Sequence, residues 1–344
     1  MHCAFLATLG LGVLLSAAGC ARPDEGVRIS GPTMGTVYNV RAYCRAPVPD
    51  LEARIETALA GIDGEMSNWR SDSTLSRFNA APIDEWFPVS ASLAVVVSAA
   101  QSLAERSGGA FDVTVGPLVD AWGFGPDAAA RARAAPPDAA VVESARARVG
   151  YTFLDVRSAP PALRRRRDLE VDLSAIAPGH ATDVLSELLT QAGCPDHMVD
   201  VGGEVYARGR TADGSAWRIG IETPDPARPP GTSVSRVLRL ENMAVSTSGD
   251  YRDFIEWQGH RYSHTFDPRT GAPVEHALAS VTVLDRSTMW ADGIATLLTV
   301  LGPTAGFEFA DAGGIPALFI ERRESGFVER MTAPFADYLE GPPS

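Results

Sequence analysis

Leu51, Ile55, Ala58, Leu59 and Ile62 recur at helical spacing and predict an amphipathic helix over 50–63. "SASLAVVVSAAQSLAERSGG" predicts a second helix, closed by glycine. A third runs from Pro178 to Gln191, since proline suits the first helical position, where an N–H would have no partner. "SNWRSDSTLSRFN" reads as a loop with one short helical turn. The strand pattern starts at Gly31, where "GPTMGTVYNVRAYC" reads as one strand entered from a loop, and "LEVDLSAIA" reads as a strand feeding the third helix. "HMVDVGGEVYARG" is broken by a Gly-Gly turn, and "WRIGIETP" is a further strand. A proline-rich linker, "TPDPARPPGTS", leads to strands at 234–247 and 253–265, then to "LASVTVLD" and a last segment near "PALFIERR". Strand runs and helix runs in this order predict an α+β fold with mixed or antiparallel sheets and flanking helices. Residues 126–150, rich in Ala, Pro and Arg, read in part as a surface insertion.

Composition sets the scale. At 344 residues and 45% hydrophobic content the chain can bury a large core, as two intimately packed lobes. With 43 acidic against 30 basic side chains, the net charge of -13 excludes a general nucleic-acid binder, because a phosphate backbone demands a positive surface. The run Arg164 to Arg167 reads as a solvated turn. "MHCAFLATLGLGVLLSAAGC" has the short apolar core of a secretory signal, and its last four residues resemble a bacterial lipobox. The chain thus divides into a signal peptide (1–19), a tether (20–30) and one domain (31–344), with export and a lipid anchor at Cys20 expected. That leaves Cys44 and Cys194 in the mature chain, and the sequence leaves their pairing open.

Chemistry concentrates in "MWADGIATLLTVLGP", an apolar helix expected to end at Gly302 and Pro303. Asp292, Thr296 and Thr299 fall at i, i+4 and i+7, one narrow stripe of oxygen donors where a solvated face would carry Lys, Glu or Arg. A carboxylate buried there needs compensation, and Mg²⁺ is the natural candidate for such a donor set. His264 stands at a strand end just before a turn built on Asp267-Pro268, where an imidazole could move a proton near neutral pH. Asp112 and Asp172 lie among small or apolar residues, and Trp69 offers a stacking surface beside a loop. P-loop, dinucleotide-binding, zinc-protease, nucleophile-elbow and C-x-x-C motifs are all absent.

Eight stretches in order, "GPTMGTVYNV", "MSNWRSDSTLSRFN", "GAFDVTVGPLVDAWGFGP", "DLSAIAPGHATD", "VDVGGEVYARG", "VSTSGDYRDF", "RYSHTFDPRTGAPV" and "ADGIATLLTVLG", resemble the ApbE family of flavin transferases. The resemblance implies a periplasmic lipoprotein with FAD in a cleft between the lobes. It also implies Mg²⁺-dependent transfer of FMN from FAD to a Ser or Thr of an acceptor protein, a subunit of a membrane redox complex, with release of AMP. By the same resemblance Asp292, Thr296 and the Ala175 carbonyl would hold Mg²⁺. Met34, Trp69, Ala110, Phe111, Asp112, Asp172 and the backbone at Phe266 would line the FAD site, and His264 would be the catalytic base. The family's A-K-G-Y-A reads A-P-G-H-A here, so Pro178 removes a cation that His180, if protonated, would partly replace. Two other readings of the same site are an FAD pyrophosphatase, with water as acceptor, and a silent FAD-binding lipoprotein.

Overall fold

Met34 and Gly35 both take positive φ, 47° and 74°, in the tight hairpin turn that joins β1 (Val27–Thr33) to β2 (Thr36–Tyr43). The stretch read as one strand is therefore two, and β1 takes residues 27–30 from the expected tether. The computed structural model describes residues 26–131, 135–229, 231–250, 254–324 and 326–341. The export signal and Cys20 lie outside the described residues.

Between β2 and its neighbour in the sheet the chain inserts a whole lobe. α1 (Leu51–Met66) buries Leu51, Ile55, Leu59, Ile62 and Met66, one turn more than the predicted span. α2 (Thr74–Asn79) is capped by Ser73, whose hydroxyl accepts the Ser76 N–H. After β3 (Phe87–Pro88), α3 (Ala91–Ser107) starts on a Ser90 cap and ends at Gly108 in the left-handed region. Three short helices follow: α4 (Gly116–Ala121), α5 (Ala128–Arg131) and α6 (Ala139–Arg146). β4 (Leu154–Ser158) and β5 (Pro161–Arg165) complete a three-stranded sheet with β3, and α7 (Ala177–Gln191) closes the lobe.

Two expectations fail inside this lobe. Arg164 and Arg165 belong to β5, and strand alternation turns Arg165 inward, where its guanidinium donates to the Leu169 and Ala81 carbonyls. The arginine run is therefore not a solvated turn. "LEVDLSAIA" is not a strand either, apart from one bridge between Glu170 and Val115. The Asn79 side chain replaces a neighbouring strand, bonding both the N–H and the carbonyl of Val171 at 2.9 Å.

β6 (Asp196–Val201) then returns to pair with β2, and a Cys44–Cys194 disulfide ties the two ends of the insertion, beside an Arg45 N–H to Gly193 carbonyl bond of 3.0 Å. The Gly202-Gly203 turn leads to β7 (Glu204–Arg208). β8 (Trp217–Glu222) and β9 (Val234–Leu240) pair as a hairpin, so the proline-rich stretch is its loop, not a linker between units. Next come β10 (Met243–Gly249), β11 (Phe254–Trp257), β12 (His260–Ser263), β13 (Phe266–Asp267), β14 (Ala272–Pro273) and β15 (Leu278–Asp285). The chain finishes with α8 (Thr288–Ala312), β16 (Ala317–Arg323) and β17 (Gly326–Met331).

The main sheet has the antiparallel order β1-β2-β6-β7-β10-β15-β16-β17. One core, including Val199, Val201, Val281, Val283, Leu297 and Leu298, joins one face of the sheet to α7, α8 and the inserted lobe. A second core on the other face gathers Trp217, Ile221, Leu238, Leu284, Leu318 and Phe335. β15 is buried from Leu278 to Leu284, as a strand covered on both faces must be. α8 has the length and apolarity of a membrane span, yet it lies packed against β15, β10 and α7.

α8 does not stop at Gly302. It breaks there, at φ 78° and ψ -176°, and resumes at Pro303. Proline has no N–H to give the Thr299 carbonyl, so the His276 Nε2–H donates to it instead, at 2.8 Å.

Candidate functional site

The site grows from the crossing of α7 and α8. Asp292 is 5% exposed, and among the described residues its hydrogen-bond donor is the Gly179 N–H, 3.0 Å from Oδ2. Gly179 is the third residue of α7, so its N–H is one of those a helix start leaves without an internal partner: the first internal bond runs from the His180 N–H to the Ile176 carbonyl, and the Ala175 carbonyl lies just upstream of the helix. Thr296, one turn along α8 and half-buried, brings Oγ1 to 3.3 Å from the Ser248 hydroxyl of β10. Burial pushes the Asp292 carboxyl up to about 7, opposed by the Gly179 N–H and aided by the charge of Asp183. Glu204, at the start of β7, is raised well above its ordinary value, first by burial and then by Asp292.

These oxygens lack positive charge and fit a hard cation. Among the described residues no group of three or more His, Cys, Asp or Glu is arranged to hold a metal. A cation here would therefore draw on one carboxylate, a hydroxyl, a carbonyl and the oxygens of its substrate, a set that suits Mg²⁺. Thr299 does not join the stripe: its hydroxyl donates to the Ala295 carbonyl at 2.9 Å and is buried.

Asp172 lies just upstream of α7, its carboxylate accepting from the Ser174 N–H and from Asn68 Nδ2, both at 2.8 Å. Asn68 precedes Trp69, which is 53% exposed and has the Arg131 guanidinium 5.0 Å from its ring centre. A cavity of about 320 Å³ lined by Asn68, Ser76, Asn79, Asp120 and Glu170 opens nearby. The Asp172 N–H reaches the Val113 carbonyl at 2.7 Å, joining this wall to the Ala110-Phe111-Asp112 stretch. Ala110 and Phe111 are buried, and the Phe111 ring packs close to Gly293, next to Asp292. Asp112 is bonded within the protein, accepting from the Thr114 N–H and hydroxyl and from the Tyr151 N–H at 2.7–2.8 Å. Met34, half-buried, sits at the β1–β2 turn, which borders the Gly202-Gly203 turn ahead of Glu204.

His264, half-buried, follows β12 on the excursion that leaves the sheet at the end of β10. Asp250 anchors the base of this excursion through an ion pair with Arg322, and its carbonyl accepts from Arg261 at 3.0 Å. Farther out, Trp122 packs against Tyr262 and Phe266 with ring centres 5.4 and 6.1 Å apart, and its Nε1–H donates to the Gly271 carbonyl at 3.3 Å. Phe124 touches the ring of Phe266, 5.8 Å away, and that of His264, 6.3 Å away.

The ApbE family model matches residues 34–319. The chain belongs to the ApbE family. It is 41% identical over 334 residues to the FAD:protein FMN transferase of Vibrio cholerae, covering 96% of this chain and 98% of the relative. Its identity to the Haemophilus influenzae protein of that name is 35% over 338 residues, 96% and 97% of the two chains. Flavin Transferase ApbE from Vibrio cholerae superposes with a TM-score of 0.83 at 40% identity, over 92% of this chain and 99% of that one. The ApbE fold is thus the α+β architecture described above.

The departure from the ApbE pattern at 177–181 has a structural outcome. His180 turns to α3, with Nε2 2.8 Å from the Ser92 hydroxyl, and burial lowers its pKa. Burial thus works against the charged form that the resemblance would require of His180 as a substitute cation. Sequence reasoning also missed Asn68, Trp122 and Gly179. The glycine at 179 is required by close approach to α8, where a Cβ on residue 179 would sit 2.5 Å from the Thr288 carbonyl oxygen.

Proposed function

We propose that this chain is a Mg²⁺-dependent FAD:protein FMN transferase that esterifies a Ser or Thr hydroxyl of an acceptor protein and releases AMP. The observation that carries the reading is the buried Asp292 carboxylate, held by the Gly179 N–H at the start of α7, just downstream of the Ala175 carbonyl. Asp292, Thr296 and that carbonyl would hold the ion. Bound there, Mg²⁺ supplies neutralisation of the diphosphate and of the charge that develops on the leaving phosphate. Trp69 would stack on the isoalloxazine. His264 would take the acceptor's proton as its oxygen attacks the FMN phosphorus; the bond from that phosphorus to the bridging oxygen breaks, and AMP departs with the electron pair. Export, a lipid anchor at Cys20 and a periplasmic acceptor in a membrane redox complex complete the proposal. The Cys44–Cys194 disulfide supports an oxidising compartment.

Two readings compete. Water in place of the acceptor gives FMN and AMP from the same site. The unreplaced lysine favours a protein that only binds FAD. Purified protein incubated with FAD, Mg²⁺ and a candidate acceptor separates them on a denaturing gel: a fluorescent acceptor band supports transfer, free FMN and AMP without one indicates a hydrolase, and intact FAD a binder.

A further inference from the structure

We infer that Asp183 is a positioning residue for the reaction, a latch from α7 that fixes where α8 presents Asp292. The inference rests on the proposed role of Asp292. α7 and α8 are joined by two polar rungs of opposite sense. In one, the Gly179 N–H of α7 donates to the Asp292 carboxylate of α8. In the other, the Asp183 carboxylate of α7 accepts from α8: the Thr288 N–H at 2.8 Å, the Met289 N–H at 3.1 Å and the Ser287 hydroxyl at 2.6 Å. Residues 179 and 183 are one turn apart on α7, as 288 and 292 are on α8, so the rungs share one face of each helix.

Local capping does not account for Asp183. Ser287 already caps α8 by accepting the Trp290 N–H, while handing its own proton to Asp183. The carboxylate comes from over 100 residues away in sequence, and what it adds is register between two helices. Those helices touch at backbone distance: a Cβ on Gly179 would lie 2.5 Å from the Thr288 carbonyl oxygen and 2.8 Å from Met289 Cα. With three donors on its two oxygens, Asp183 touches no reacting atom: it holds α8 in place, and its charge also bears on Asp292, so Asp183→Glu, which keeps the charge, separates the two effects. Sliding α8 along α7 would move Asp292 and Thr296 together relative to the Ala175 carbonyl.

Asp183→Asn keeps the size and one acceptor oxygen but sets an NH₂ against N–H donors. In steady-state transfer or AMP-release assays we expect kcat to fall by about tenfold or more with KM for FAD within about threefold, and half-saturation by Mg²⁺ to rise. In the protein free of metal and FAD, amide exchange should accelerate over 288–296. Leu238→Ala, in the core on the opposite face of the main sheet, provides the comparison: it lowers Tm but leaves Mg²⁺ dependence and exchange in α8 unchanged. If Asp183→Asn does not fold, Asp183→Glu keeps the charge, displaces it by one methylene and should show the same pattern. Normal exchange over 288–296 in the folded variant, or activity falling only in step with Tm as in Leu238→Ala, overturns the inference. A wild-type protein that neither moves flavin nor releases AMP overturns the functional reading instead, and the exchange measurement still decides the role of Asp183.

Discussion

Asp292→Ala removes the carboxylate from the oxygen cluster at the α7–α8 crossing and leaves the Gly179 N–H buried without its acceptor. Metal-dependent turnover should disappear, read as AMP release against Mg²⁺ concentration; turnover persisting at low Mg²⁺ would count against the assignment. His264→Ala should slow transfer by about 10² to 10⁴, the span of a positioned acid or base, while FAD still quenches on binding. Loss of FAD binding in that variant would make His264 structural. Spacing singles out Asp292, Thr296 and Thr299 as polar positions on a greasy helix that must meet something polar, and the choice of Asp292 and Thr296 as ligands rests on the resemblance. Thr299 shares that spacing, but its hydroxyl bonds its own helix. Nothing in the sequence separates these two uses of a threonine, and nothing links Asp183 to residues 287–289.

Between elements, the α7–α8 contact is the sensitive one. Gly179→Ala places a methyl against the backbone of α8, where no flexible side chain can yield. The helices must separate, and we expect a loss of about 1–3 kcal/mol in stability together with a drop in transfer rate, measured by urea unfolding and AMP release. An unchanged unfolding midpoint would mean that the crossing is looser than these distances require. Most helices were readable because their buried residues repeat at the period of the helix. Strand reading failed where tertiary partners decide: Asn79 occupies the ladder positions of Val171, and the loop from β8 to β9 resembles a linker until its flanking strands are seen to pair. The break in α8 was visible as Gly302-Pro303, but not the helix beyond, which depends on packing against β16.

At the scale of the whole molecule, a buried histidine couples folding to pH. His197 is fully buried; its Nδ1–H donates to the Cys194 carbonyl and its Nε2 accepts from the Ser186 hydroxyl, both at 2.8 Å. Burial lowers its pKa to about 4 from an ordinary 6.5, so below 6.5 the unfolded chain takes up the proton more readily than the folded one. Stability from this group is complete above pH 6.5 and falls as pH drops towards 4, by roughly 3 kcal/mol in all. The raised carboxyls of Asp292 and Glu204 contribute slopes of the opposite sign to both proteins, so the difference in urea midpoint between wild type and His197→Asn between pH 7.5 and 4.5 carries the His197 slope; parallel curves for the two proteins would refute the assignment.

The disulfide at the base of the inserted lobe makes residues 44–194 a covalent ring with only two exits, into β2 and β6. A single proteolytic cut anywhere inside that ring cannot release a fragment. On a gel without reductant, protein nicked there should migrate as one species of full mass, and only added thiol should resolve it into two pieces.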